Sequence, residues 1–122
     1  MIILPEKITV FFDVDSTLVL WDATQEEMAI KGIKFGEGDY AVMCVPHEKH
    51  IEMLRQHKAR NHLIVVWSAG GVSWAEAVIK KLGLEDLVDL VVTKPHFFYD
   101  DLPSSMFMPE SSRVYKDPIH GK

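Results

Sequence analysis

Two aspartates two residues apart, Asp13 and Asp15, follow an apolar run at residues 8–12 and lead into Ser16, Thr17 and Leu18. The run is rich in β-branched and aromatic side chains, the composition of a buried strand. A buried carboxylate with no partner is costly, so it needs a metal, another cation or water beside it. In open parallel sheets, ligands bind beyond the carboxyl ends of the strands. The pair therefore predicts a metal-assisted active site at the end of the first strand.

Three more apolar runs end in groups suited to the same chemistry. Residues 63–67 lead into Ser68, Ala69, Gly70 and Gly71; residues 88–93 lead into Lys94; residues 97–99 lead into Asp100 and Asp101. If these strands are parallel, their polar ends share one edge of the sheet. Crowded carboxylates repel, and a divalent cation relieves the repulsion. A set of oxygen ligands points to Mg²⁺ rather than Zn²⁺, and Mg²⁺ so bound commonly partners phosphate oxygens. The Lys94 ammonium and the Ser68 hydroxyl would take the remaining phosphate charge. One aspartate could attack phosphorus to form an aspartyl-phosphate. The other could protonate the leaving group and then activate water.

The elements that must position these groups follow from pattern. Residues 29–35 and 40–45 flank Gly36, Glu37, Gly38 and Asp39, a strand, turn and strand that predict a hairpin. Pro46 opens a helix expected to run to about residue 58, with Ile51, Met53 and Leu54 on its buried side. Residues 72–82 have helical periodicity, with Gly83 as the cap. A short last strand is expected near Arg113, Val114 and Tyr115. Apolar strands alternating with amphipathic helices imply an α/β fold, a three-layer Rossmann-like parallel sheet with helices on both faces. The 122 residues are read as a single domain, 1–122.

Composition limits the function. The formal net charge of −5 argues against a nucleic-acid-binding surface. No apolar run is long enough for a membrane span, and the single cysteine, Cys44, excludes an internal disulfide, so the chain is read as cytoplasmic. Cys44 lies in an apolar run and is expected to be a buried structural thiol. His47 and His50 have i,i+3 spacing but lack a zinc-peptidase pattern, and a solvated helix face is expected for them. Trp67 is expected in the core, while Trp21 and Trp74 follow the first two strand ends closely enough to border a pocket.

The ordered set resembles the haloacid dehalogenase-like (HAD) hydrolases. Residues 13–18, Asp-Val-Asp-Ser-Thr-Leu, are similar to their first motif; Ser68, Lys94 and Asp100-Asp101 resemble the second, third and fourth, in the same order, across residues 8–101. The resemblance implies a Mg²⁺-dependent phosphatase working through an aspartyl-phosphate. Asp13 would be nucleophile and metal ligand. Asp15 would be general acid and base, with its carbonyl facing the metal. Ser68 and Lys94 would hold the phosphoryl group, and Thr17 would support the loop. Asp100 would bind Mg²⁺ directly, and Asp101 directly or through water. Residues 19–45 would contain the family's flap.

Two departures stand out. Lys94 and Asp100 are too close in sequence for a parallel crossover, which needs about a dozen residues. Either the strand at 97–99 is very short, or Lys94 lies in a bent connection, or another lysine takes its role. There is also no room for a large cap domain, which suits bulky or macromolecular phosphorylated substrates, or a homo-oligomer whose neighbouring subunit acts as lid. The sequence does not separate a small-molecule from a macromolecular substrate. A catalytically inactive HAD-fold binding or regulatory module is the alternative. A phosphoryl-accepting receiver domain would carry its acceptor aspartate on the middle strand, whereas here that strand ends in Ser68.

Overall fold

A computed structural model describes residues 8–114. Its centre is a parallel sheet of three strands in the order β1 (Thr9–Asp13), β5 (Leu63–Ser68), β6 (Leu90–Thr93). β5 is the middle strand; its Ile64, Val65 and Val66 are buried, as its unbroken apolar run requires. The register pairs Asp13 with Trp67 and Ser68 with Thr93. A second, antiparallel sheet has the order β2 (Val19–Leu20), β4 (Val42–Pro46), β3 (Ile33–Phe35).

Two helices make the crossovers of the parallel sheet. α2 (Glu48–Ala59) precedes β5, and α3 (Val72–Lys81) precedes β6. Leu54 of α2 and Ala75, Val78 and Ile79 of α3 share one core with Phe12, Ile64 and Val66. Asp89 ties the far end of α2 to the sheet. Its carboxylate accepts from Lys58 Nζ at 2.8 and 2.9 Å and from the Ile64 N–H at 2.8 Å. On the opposite sheet face Phe11 packs against Trp67, ring centroids 4.5 Å apart and planes tilted by 58°, and Phe11 and Leu90 are left about half exposed.

The fold is therefore mixed α/β with a parallel sheet, but α2 and α3 do not build the expected three layers. The chain steps from β1 to β5 to β6 in one direction. Crossovers of the usual right hand that step the same way put both helices on one face. Covering the other face needs a reversal to the far side of β1, and the predicted strand at 97–99 is the element that would have made it. Phe97, Phe98 and Tyr99 form no strand and are exposed. α4 (Ser104–Phe107) is a single exposed turn. Arg113 and Val114 are not in a strand, and Tyr115 lies outside the described residues.

The hairpin forms, with Ile33 opposite Cys44 and Phe35 opposite Val42, but its first arm is shorter than expected. Residues 29–31 belong instead to α1 (Gln25–Lys31). A capping box explains this: the Thr24 hydroxyl accepts from the Glu27 N–H while the Glu27 side chain reaches back to Thr24. Gly32 then turns the chain where a Cβ would lie 2.2 Å from the Met28 carbonyl oxygen. α3 is capped by Leu82, with Gly83 following at φ 69°.

His47 and His50 are buried at 4% and 3% exposure, not on a solvated face. Their rings stack at 3.8 Å, and His47 Nδ1 accepts from the His50 N–H, capping α2. At the other end of α2, His57 Nδ1 lies 2.9 Å from His62 Nδ1, so one ring must donate and the other accept. Burial, then the neighbouring His62 and Arg60, lower the His57 pKa below its usual 6.5.

Leu54→Ala, at a fully buried site, is expected to cost about 2–5 kcal/mol in denaturant unfolding. The folded chain binds the His57 proton less readily than the unfolded chain does. Its contribution to stability therefore falls as pH drops through about 6.5. Thermal melts between pH 7.5 and 5.5 should show this fall, and His57→Gln should reduce it.

Candidate active site

The loop after β1 is built by alternation. Val14 and Leu18 are fully buried anchors, while Asp13 just before them and Asp15 and Thr17 between them stay partly exposed. The N–H groups of Thr17, Leu18 and Val19 all donate to the Val14 carbonyl, at 3.2, 2.9 and 3.2 Å. Ser16 takes a left-handed conformation, φ 65°, to close the turn. α2 braces the loop from behind: His50 Nδ1 is 2.9 Å from the Thr17 carbonyl, and the His47 N–H donates to the Leu18 carbonyl at 2.8 Å. A carbonyl only accepts, so His50 Nδ1 carries the proton.

Asp13 gathers two of the predicted partners. Lys94 Nζ is 3.4 Å from its Oδ1, and the Thr17 hydroxyl donates to Oδ2 at 3.4 Å. Lys94 follows β6, and its N–H donates to the Ser68 carbonyl at 3.1 Å, which continues the β5–β6 ladder to the sheet edge. Of the alternatives for this lysine, the structure takes the irregular connection, since residues 94–103 contain no helix or strand. The pair is partly exposed, so it contributes about 1 kcal/mol or less to stability. The pair places a cation beside the carboxylate.

Ser68 is fully buried, and its Oγ accepts from the Gly70 N–H at 3.0 Å. It organises the turn before α3, whose N-cap is Gly71 at φ 100°, a backbone conformation that favours glycine.

Asp15 faces an aromatic wall. Trp21 Nε1 donates to its Oδ1 at 3.1 Å, and Trp74 Nε1 lies 3.3 Å from both carboxylate oxygens. The two indoles stack at 6.0 Å, and Phe35 of the hairpin packs edge-on to Trp74 at 4.8 Å. The hairpin therefore stands beside Asp15, through the contact of Phe35 with Trp74. Sequence reading placed Trp21 and Trp74 near a pocket but missed their bonds to Asp15 and the buried His50 brace. The Trp74 bond and the His50 brace join segments distant in sequence, and the Trp21 bond spans the turn and short strand after Asp15, so no spacing rule reveals them.

Asp100 and Asp101 are exposed, and the Asp100 carboxylate accepts from the Leu102 N–H at 2.9 Å. Among the described residues, no three His, Cys, Asp or Glu side chains come together to hold a metal ion. The described donor set does not make the Mg²⁺ cage the sequence suggested. A concavity of about 530 Å³ lies elsewhere, along α3 and β6, lined by Ser73, Glu76, Lys80 and Val91 among others. Among the described residues, no helix is long and apolar enough to cross a membrane.

Cys44 is buried, and its thiol is pushed up to about 11, chiefly by desolvation and also by the Asp15 charge. It is expected to resist iodoacetamide in the native protein at pH 8 and to react on unfolding, as followed by mass spectrometry.

Comparison with known proteins gives no match: no family model, no curated protein and no solved structure matches the chain.

Proposed function

We propose that the chain is a HAD-type phosphomonoester hydrolase in which Asp13 is the phosphoryl acceptor. The observation that carries this reading is the meeting of Asp13 with Lys94 at 3.4 Å and with the Thr17 hydroxyl, at the carboxyl edge of a parallel sheet. A carboxylate must approach an already anionic phosphate, and a fixed ammonium offsets that repulsion. One Asp13 oxygen attacks phosphorus as the bond to the leaving oxygen breaks, and the Asp15 carboxyl gives that oxygen its proton. Asp15 then takes a proton from water, which attacks the aspartyl-phosphate, releases phosphate and restores Asp13. Ser68 is the second phosphoryl contact in this reading.

Mg²⁺ is the cofactor the sequence resemblance suggests. Asp13 and Asp15 stand at the edge, but the remaining ligands would have to come from Asp100 or Asp101, which join no metal-holding group in the described residues. The substrate in this reading is a phosphorylated small molecule or macromolecule.

That incomplete cage, together with the full burial of Ser68, favours a second reading: a catalytically inactive HAD-fold binding or regulatory module. A panel of phosphate esters assayed with Mg²⁺ and with EDTA separates the two. Hydrolysis that needs Mg²⁺ supports the enzyme; no hydrolysis across the panel supports the module. For the enzyme, Asp13→Asn should lower phosphate release by more than about a thousandfold with an unchanged circular dichroism spectrum. Lys94→Ala should lower kcat/KM by about 10²–10³. Wild-type turnover by Asp13→Asn would exclude this mechanism.

A further inference from the structure

The proposed function gives Asp15 the proton transfers, and the structure gives Asp15 two indole donors. Trp21 Nε1 and Trp74 Nε1 reach it from different elements: the segment between β2 and α1, and the first turn of α3. An indole N–H only donates, so both rings can hold the carboxyl group and neither can take its proton. This matters because the terminal torsion of an aspartate is broad, and the backbone alone does not aim the oxygens.

The rings that aim Asp15 are themselves held. They stack on one another with planes 23° apart. Phe35 packs against Trp74 at 62°. On another side Trp74 meets Gly70, where a Cβ would lie 3.1 Å from Trp74 Cδ1. Trp21 is 39% exposed, so the pair reaches from the packed hairpin out to solvent.

We propose that Trp21 and Trp74 are positioning residues for the general acid. Together they hold the Asp15 carboxyl group where it delivers its proton to the leaving oxygen. This rests on the phosphatase reading. The proton passes from Asp15 to the bridging oxygen as the bond from that oxygen to phosphorus breaks and the bond from Asp13 to phosphorus forms. Losing the clamp therefore slows esters whose leaving group needs that proton more than esters whose leaving group departs as a stable anion.

The test compares phenyl phosphate, which needs the proton, with 2,4-dinitrophenyl phosphate, which needs it far less. Both are assayed with wild type, Trp21→Phe and Trp74→Phe in Mg²⁺ buffer. Phenylalanine keeps an aromatic ring for packing and removes the donor. In each variant, the ratio of kcat/KM on phenyl phosphate to kcat/KM on 2,4-dinitrophenyl phosphate, which reports the steps up to leaving-group departure, is expected to fall about tenfold or more. The indole ¹H–¹⁵N resonances of Trp21 and Trp74 should both move in Asp15→Asn. An equal loss on both esters, or an unchanged ratio, overturns the clamp. Should Trp74→Phe fail to fold, the exposed Trp21→Phe decides alone. Wild type inactive on both esters, or an active Asp13→Asn, overturns the phosphatase reading and the clamp with it. Active wild type, inactive Asp13→Asn and an unchanged ratio overturn the clamp only.

Discussion

Parallel pairing of β1 with β5 and of β5 with β6 determines what meets at the sheet edge. Asp13 lies opposite Trp67, Ser68 lies opposite Thr93, and Lys94 comes next along the ladder. A slip of one residue would turn every side chain of the strand to the other face. The apolar runs prevent it. Fully burying a side chain such as Ile64 or Val66 contributes about 1.5–3 kcal/mol, and a slip would forfeit several such terms together. The register that protects the core is thus the register that brings Lys94 to Asp13.

The loop after β1 turns that register into a site. Val14 and Leu18 plug into the core, and the polar residues between them are left at the edge. Ser16 accepts a left-handed backbone, and the buried His50 holds the Thr17 carbonyl from behind. The hairpin adds a side wall by packing Phe35 against Trp74 of α3. Local strain and a buried polar contact are thus placed where side-chain direction matters.

The parallel strands and the order of Asp13, Ser68 and Lys94 were legible in the sequence because unbroken apolar runs ending in polar groups have few other readings. The hairpin was legible from its glycines. Residues 29–31 look like strand because Ala29 and Ile30 are apolar, but the Thr24–Glu27 capping box upstream commits them to α1. The strand at 97–99 was inferred from three aromatic residues. Such a run describes a strand only when a neighbour pairs with it, and in the structure these residues remain exposed. The contact of His50 with the Thr17 carbonyl and the Trp74 bond to Asp15 join distant segments, so they leave no local pattern.

A fixed cation beside a strand-end carboxylate suits phosphoryl transfer through Asp13, and trapping the acyl phosphate tests this most directly. A reaction with a turned-over ester is quenched in acid, reduced with borohydride and digested, and the peptide containing residues 13–18 is sequenced by mass spectrometry. Conversion of Asp13 to homoserine, dependent on the phosphate ester, is the expected result. Turnover with an unmodified Asp13, or with the phosphoryl group trapped on another residue, would contradict it.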